Sequence, residues 1–78
     1  MVTRRFKVLL EWDPEAQAWV TYVPTLAFLS TFGSTKAEAL ANTREAIVGY
    51  LEAAAKEGLP LPPLDTQPEV IDIEVAVA

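Results

Sequence analysis

Seventy-eight residues allow one domain and no more. The chain holds no cysteine and no histidine, which excludes disulfides and imidazole or thiolate chemistry and leaves a zinc site only carboxylates to draw on. Eleven acidic against six basic residues give a formal charge of −5, a balance that disfavours direct nucleic-acid contact and suits a basic protein partner.

The apolar fraction of 51% is high for so short a chain. Domains of this size bury only about 60% of the surface of their unfolded chains. With no disulfide or metal to assist, oligomerisation is the expected supplement, and surplus apolar surface points the same way. No run approaches the ~20 apolar residues of a membrane span, and no apolar run follows the charged stretch Met1–Lys7 as a signal peptide would require. A single cytoplasmic domain over residues 1–78, without cofactor or membrane association, is the expectation.

Residues 4–12 alternate, with Phe6, Val8, Leu10 and Trp12 on one parity and Arg5, Lys7 and Glu11 on the other. Period two predicts a half-buried strand. Asp13-Pro14-Glu15-Ala16-Gln17 reads as a turn. Residues 18–23 are β-branched and aromatic and predict a second strand, antiparallel to the first. The register is open. Pairing Leu10 with Val20 puts Trp12, Val20 and Tyr22 on one face, whereas pairing Trp12 with Trp19 puts Trp19 and Val23 there, and a one-residue slip reverses the burial of the second strand. Pro24 ends that strand. Phe28–Phe32 reads as a third, short strand, and Gly33 allows the turn that follows.

A helix is predicted from Lys36 to Glu57, with Thr35 as N-cap and Glu38 closing a capping box. Glu38, Asn42, Glu45, Gly49, Glu52 and Lys56 fall on one side of it. Leu40, Thr43, Ile47, Tyr50, Leu51 and Ala54 fall opposite, an amphipathic pattern. Gly58 supplies the C′ position and Pro60 bars continuation. Leu59–Pro68 holds four of the six prolines and is expected to be extended. Glu69–Val77 alternates again, with Ile71, Ile73, Val75 and Val77 against Val70, Asp72, Glu74 and Ala76. That is a last strand, which must join the sheet or pair with another subunit. The predicted class is α+β in the order β-β-β-α-β: one antiparallel-rich sheet with one helix packed on a face.

The residue inventory argues against catalysis, because acid–base or nucleophilic chemistry needs a positioned base. Glu11, Asp13 and Glu15 cluster in the first turn. A metal-dependent carboxylate nuclease would use Glu11 and Asp13, but exposed turn carboxylates need no functional explanation. Gly33-Ser34-Thr35 lacks a phosphate-loop fingerprint. Arg4, Arg5 and Lys7 read as solvated strand charges, since no groove-reading helix accompanies them. Trp12, Trp19, Tyr22, Phe28, Phe32 and Tyr50 cannot all be buried in so small a body, so some mark a contact surface.

Taken together the segments resemble the N-terminal domain of HicB-like antitoxins. The resemblance covers about residues 5–63. It is carried by Tyr22-Val23-Pro24 with Leu26 beyond, by the run Gly33-Ser34-Thr35-x-x-Glu38-Ala39-Leu40-x-Asn42-x-x-Glu45-Ala46-Ile47-x-x-Tyr50-Leu51, and by Gly58-Leu59-Pro60-x-Pro62. It implies a β-β-β-α-β, partial RNase H-like fold without catalysis. It also implies a protein that binds and covers the active site of a small basic mRNA-cleaving toxin of the HicA type and that often self-associates. The family pattern Pro-Asp-Leu-Pro-Gly-Cys after the second strand reads Pro24-Thr25-Leu26-Ala27-Phe28-Leu29 here, an apolar patch in place of an acid and turn residues. Longer members of that family carry a C-terminal helix-turn-helix or ribbon-helix-helix module; the expectation for these 78 residues is that they do not bind DNA directly. The expected function is a non-enzymatic antitoxin, with an orphan self-associating domain as the alternative. Leu26, Phe28, Leu29, Phe32 and Trp19 are the candidate residues for partner binding or self-association.

Overall fold

The computed structural model describes residues 3–61 and 68–77. Over these the chain is α+β: strands β1 (Leu9–Asp13), β2 (Ala18–Val23) and β3 (Leu29–Gly33) are followed by helix α1 (Lys36–Glu57), with a one-turn 3-10 helix at Pro24–Leu26. The sheet is antiparallel in the order β1-β2-β3.

The register is the one that pairs Trp12 with Trp19, with Leu10 opposite Thr21 and Thr21 opposite Thr31. The two indoles meet edge-on at 5.4 Å between centroids, a geometry that aromatic quadrupoles favour. The turn between β1 and β2 is held by Asp13, whose Oδ1 accepts from the N–H groups of Glu15 (3.0 Å) and Ala16 (3.3 Å). Strand β1 begins later than the alternation predicts. Its last ladder partner is Tyr22, opposite Leu9, and β2 then breaks at Pro24, which offers no donor. Residues 3–8 run on without a ladder but keep the strand parity, with Arg4, Phe6 and Val8 half-buried and Arg5 and Lys7 exposed.

Helix α1 packs chiefly on β3 and β2. Thr35 accepts from the Glu38 N–H at 3.1 Å, while the Glu38 carboxylate reaches past the N-cap to the Ser34 N–H (3.4 Å) and hydroxyl (3.0 Å), one residue further back than a capping box places it. At the other end Gly58 is left-handed (φ 70), and the Leu59 N–H bonds the Ala54 carbonyl at 2.8 Å, closing a Schellman motif. Gly33 lets helix and sheet approach: a Cβ there would sit 2.5 Å from the Ala39 nitrogen and 2.9 Å from its Cα. Close packing, rather than turn freedom, is what this position requires.

The core is small. Val23, Leu26 and Ala39 are fully enclosed. Beside them lies a buried polar triangle in which the hydroxyls of Thr21, Thr31 and Thr43 meet at 2.6–2.8 Å and Thr43 also donates to the Ala39 carbonyl at 2.7 Å. Each hydroxyl finds partners among the others, as burial demands.

The final strand of the predicted order is not formed. Residues 68–77 carry no regular secondary structure, and Ile71, Ile73, Val75 and Val77 are 71–88% exposed. A strand exists only through a neighbour that takes up its backbone groups, and among the described residues no strand pairs with this segment. Most of the predicted proline-rich exit, residues 62–67, lies outside the described residues.

Candidate protein-binding surface

The Thr21–Thr43 hydroxyl bond identifies the helix-facing side of the sheet. By strand alternation Leu10, Trp12, Trp19, Val23, Thr31 and Gly33 share that side. The opposite side carries Leu9, Val20, Tyr22 and Phe32, with Glu11 and Asp13 toward the hairpin end. No helix covers it. Leu9, Val20 and Tyr22 are half-buried, and Phe32 is 69% exposed. An apolar sheet face open to water on a molecule of charge −5 is a surface suited to another protein.

The five residues singled out in the sequence do not form one patch. Leu26 is 1% exposed; it anchors the loop in the core and cannot meet a partner. Trp19 is half-buried on the helix side, against Trp12 and under the Lys36 ammonium, which lies 4.8 Å from its ring centroid. Leu29 is half-buried at the start of β3. Phe32 lies on the open sheet face, and Phe28, 62% exposed, stands in the connecting loop. The loop holds Ala27 and Phe28 at φ 56 and 57, a left-handed conformation that costs a side-chain-bearing residue roughly 1–2 kcal/mol.

Val20 was not among the sequence candidates, and Tyr22 stood there only as one of six aromatics. Their place on the open face follows from the hairpin register, which the strand alternation alone leaves open.

A second surface lies at the free edge of β1. Phe6 and Val8 of the N-terminal segment and Leu40, Ile47, Val48 and Leu51 of α1 wall a cleft of about 530 Å³, with Arg4 and Arg44 at its rim. Leu40 and Val48 are 45% and 50% exposed, so the apolar stripe of the helix is wider than the three-stranded sheet beneath it.

The carboxylates of the first turn do not converge on a common point. Asp13 is spent on the turn itself, and among the described residues no group of three His, Cys, Asp or Glu side chains is placed to hold a metal. The threonine triangle bonds only hydroxyls and backbone carbonyls, none of which can serve as a general base. No helix among the described residues is long and apolar enough to cross a membrane. Compared with known protein families and with curated proteins, the chain matches none.

Proposed function

We propose that this chain is a non-enzymatic protein-binding module of the HicB-like antitoxin type, which masks a small basic ribonuclease of the HicA type and associates with itself in the cytoplasm. The observation that carries the reading is the open sheet face: Phe32 exposed, Val20 and Tyr22 half-buried, with Glu11 and Asp13 beside them. Apolar side chains at the centre and carboxylates at the margin match an interface that burial stabilises and charge orients. The helix run from Gly33 to Leu51 and the acidic balance support the same assignment.

The test is co-purification with a tagged HicA-type toxin together with an RNA-cleavage assay. Wild-type protein is expected to bind and inhibit, and a Phe32→Asp variant to lose both by at least tenfold while retaining its helical circular dichroism. Neither binding nor inhibition by the wild type would sink the antitoxin assignment. The alternative is a domain that only self-associates, and the exposed C-terminal segment favours it; a strict monomer by light scattering at high micromolar concentration would argue against that.

A further inference from the structure

We propose that two copies of this chain exchange their C-terminal segments, Glu69–Val77 of each adding as a fourth strand to the β1 edge of the other. The inference rests on the self-association part of the reading above and gives that association its geometry.

The sheet is one strand short on one side. Among the described residues strand β1 is terminal in the order and pairs with β2 alone. Above its free edge hangs the uncovered flank of α1, and the 530 Å³ cleft between Phe6, Val8, Leu40, Ile47, Val48 and Leu51 is where the side chains of an added strand would lie. The opposite edge is less open, because the Asn42 amide donates to the Phe32 carbonyl of β3 at 2.8 Å.

The segment has the pattern this edge calls for. Ile71, Ile73, Val75 and Val77 share one parity and would turn into the cleft; Asp72 and Glu74 share the other and would turn outward. On the edge itself Phe6 and Val8 face inward while Arg5 and Lys7 are exposed. Both the basic and the acidic pair are spaced two residues apart, so they come opposite each other whichever way the strand runs. Cross-strand pairs of opposite charge favour the pairing and set its register.

The chain's own segment reaches this edge without occupying it. Pro68, Glu69 and Val70 line a pocket with Lys7, Val8 and Leu9, but every side chain from Glu69 to Val77 is exposed, Val70 at 80%. The radius of gyration is 14.9 Å, against roughly 11.5 Å for a compact chain of this length. The accessible surface is 6397 Å², about 1,700 Å² more than a folded monomer of 8.5 kDa exposes. That excess is on the scale of a standard protein–protein interface.

Charge reversal tests the exchange. Wild type is expected to be a dimer by light scattering, and the double variant Ile73→Asp, Val75→Asp a monomer with unchanged helical dichroism. An edge-reversed chain (Arg5→Glu, Lys7→Glu) and a tail-reversed chain (Asp72→Lys, Glu74→Lys) are each expected to dimerise at least tenfold more weakly alone. Mixed in equal amounts they should dimerise again, because reciprocal exchange then sets acid against base at both junctions. A dimer indifferent to all of these substitutions would overturn the exchange and leave self-association standing. Reversed chains that stay monomeric when mixed would overturn it in favour of each tail closing on its own edge. A monomeric wild type would overturn both.

Discussion

Phe28 occupies a backbone conformation that favours glycine. Its φ of 57 follows another left-handed residue, Ala27 at 56. A bulky residue kept in a strained position, with its ring 62% exposed, points to a surface role rather than a packing one. Phe28→Gly is therefore expected to raise stability by about 0.5–1 kcal/mol through relief of the strain while weakening capture of the partner, and thermal denaturation run beside a pull-down measures both. Gly33 presents the converse. The Cβ of Gly33→Ala would collide with the backbone of Glu38 and Ala39, atoms that cannot turn aside as a side chain can. A loss of about 3 kcal/mol is expected, at the upper end of overpacking costs, and read as a lower urea midpoint at constant m-value. In the threonine triangle the hub is Thr43, which bonds Thr21, Thr31 and the Ala39 carbonyl. Thr43→Val should cost about 1–2 kcal/mol because two buried hydroxyls lose a partner. Replacing Thr21, Thr31 and Thr43 together by valine should recover part of that, since no orphaned hydroxyl remains.

Helix α1 runs from Lys36 to Glu57, and Gly49 lies in its exposed stretch with nothing within 4 Å of a Cβ built there. Gly49→Ala is expected to stabilise by about 1 kcal/mol, the propensity difference, which for a domain of this size raises Tm by roughly 4–8 °C in a calorimetric scan. A smaller gain at high concentration than at low would mean that another chain lies against that face. The helix ends were legible in the sequence because caps are local: Thr35, Glu38 and Gly58 act on backbone groups a few residues away. Strand β2 was legible for the same kind of reason, being a short β-branched and aromatic run stopped by a proline. The register was not, since both Trp12 opposite Trp19 and Leu10 opposite Val20 satisfy alternation, and only contact with Thr43 on the helix settles which face of β2 turns inward. The candidate surface suffered from this. With the register open, Val20 and Tyr22 could not be told from core residues, and Leu26 could not be told from surface ones, because its burial depends on the 3-10 turn and the left-handed Ala27 that follows.

A chain of 78 residues in which, among the described residues, the largest fully enclosed side chains are Leu26, Val23, Thr21 and Thr43 has little buried surface to set against the entropy of ordering it. What it lacks internally it exposes at two places of opposite character. At its hairpin end the outer sheet face is apolar with Glu11 and Asp13 at the margin; at its N-terminal end, beside the β1 edge, stand Arg5 and Lys7, with Arg4 and Arg44 on the cleft. A basic partner suits the first end, whereas the acidic C-terminal segment suits the second. The two surfaces can thus be occupied together, and filling the edge with a strand of a second copy would leave the sheet face free for a partner. Stability in such an arrangement belongs to the dimer, so it must vary with protein concentration. A tenfold increase adds about 1.4 kcal/mol per dimer, which, against an unfolding entropy of roughly 2.1 cal/mol/K per residue over both chains, raises Tm by about 4 °C. Calorimetry over two decades of concentration should show that slope for the wild type. It should be absent in the Ile73→Asp, Val75→Asp variant, whose lower Tm would be that of the three strands and helix alone.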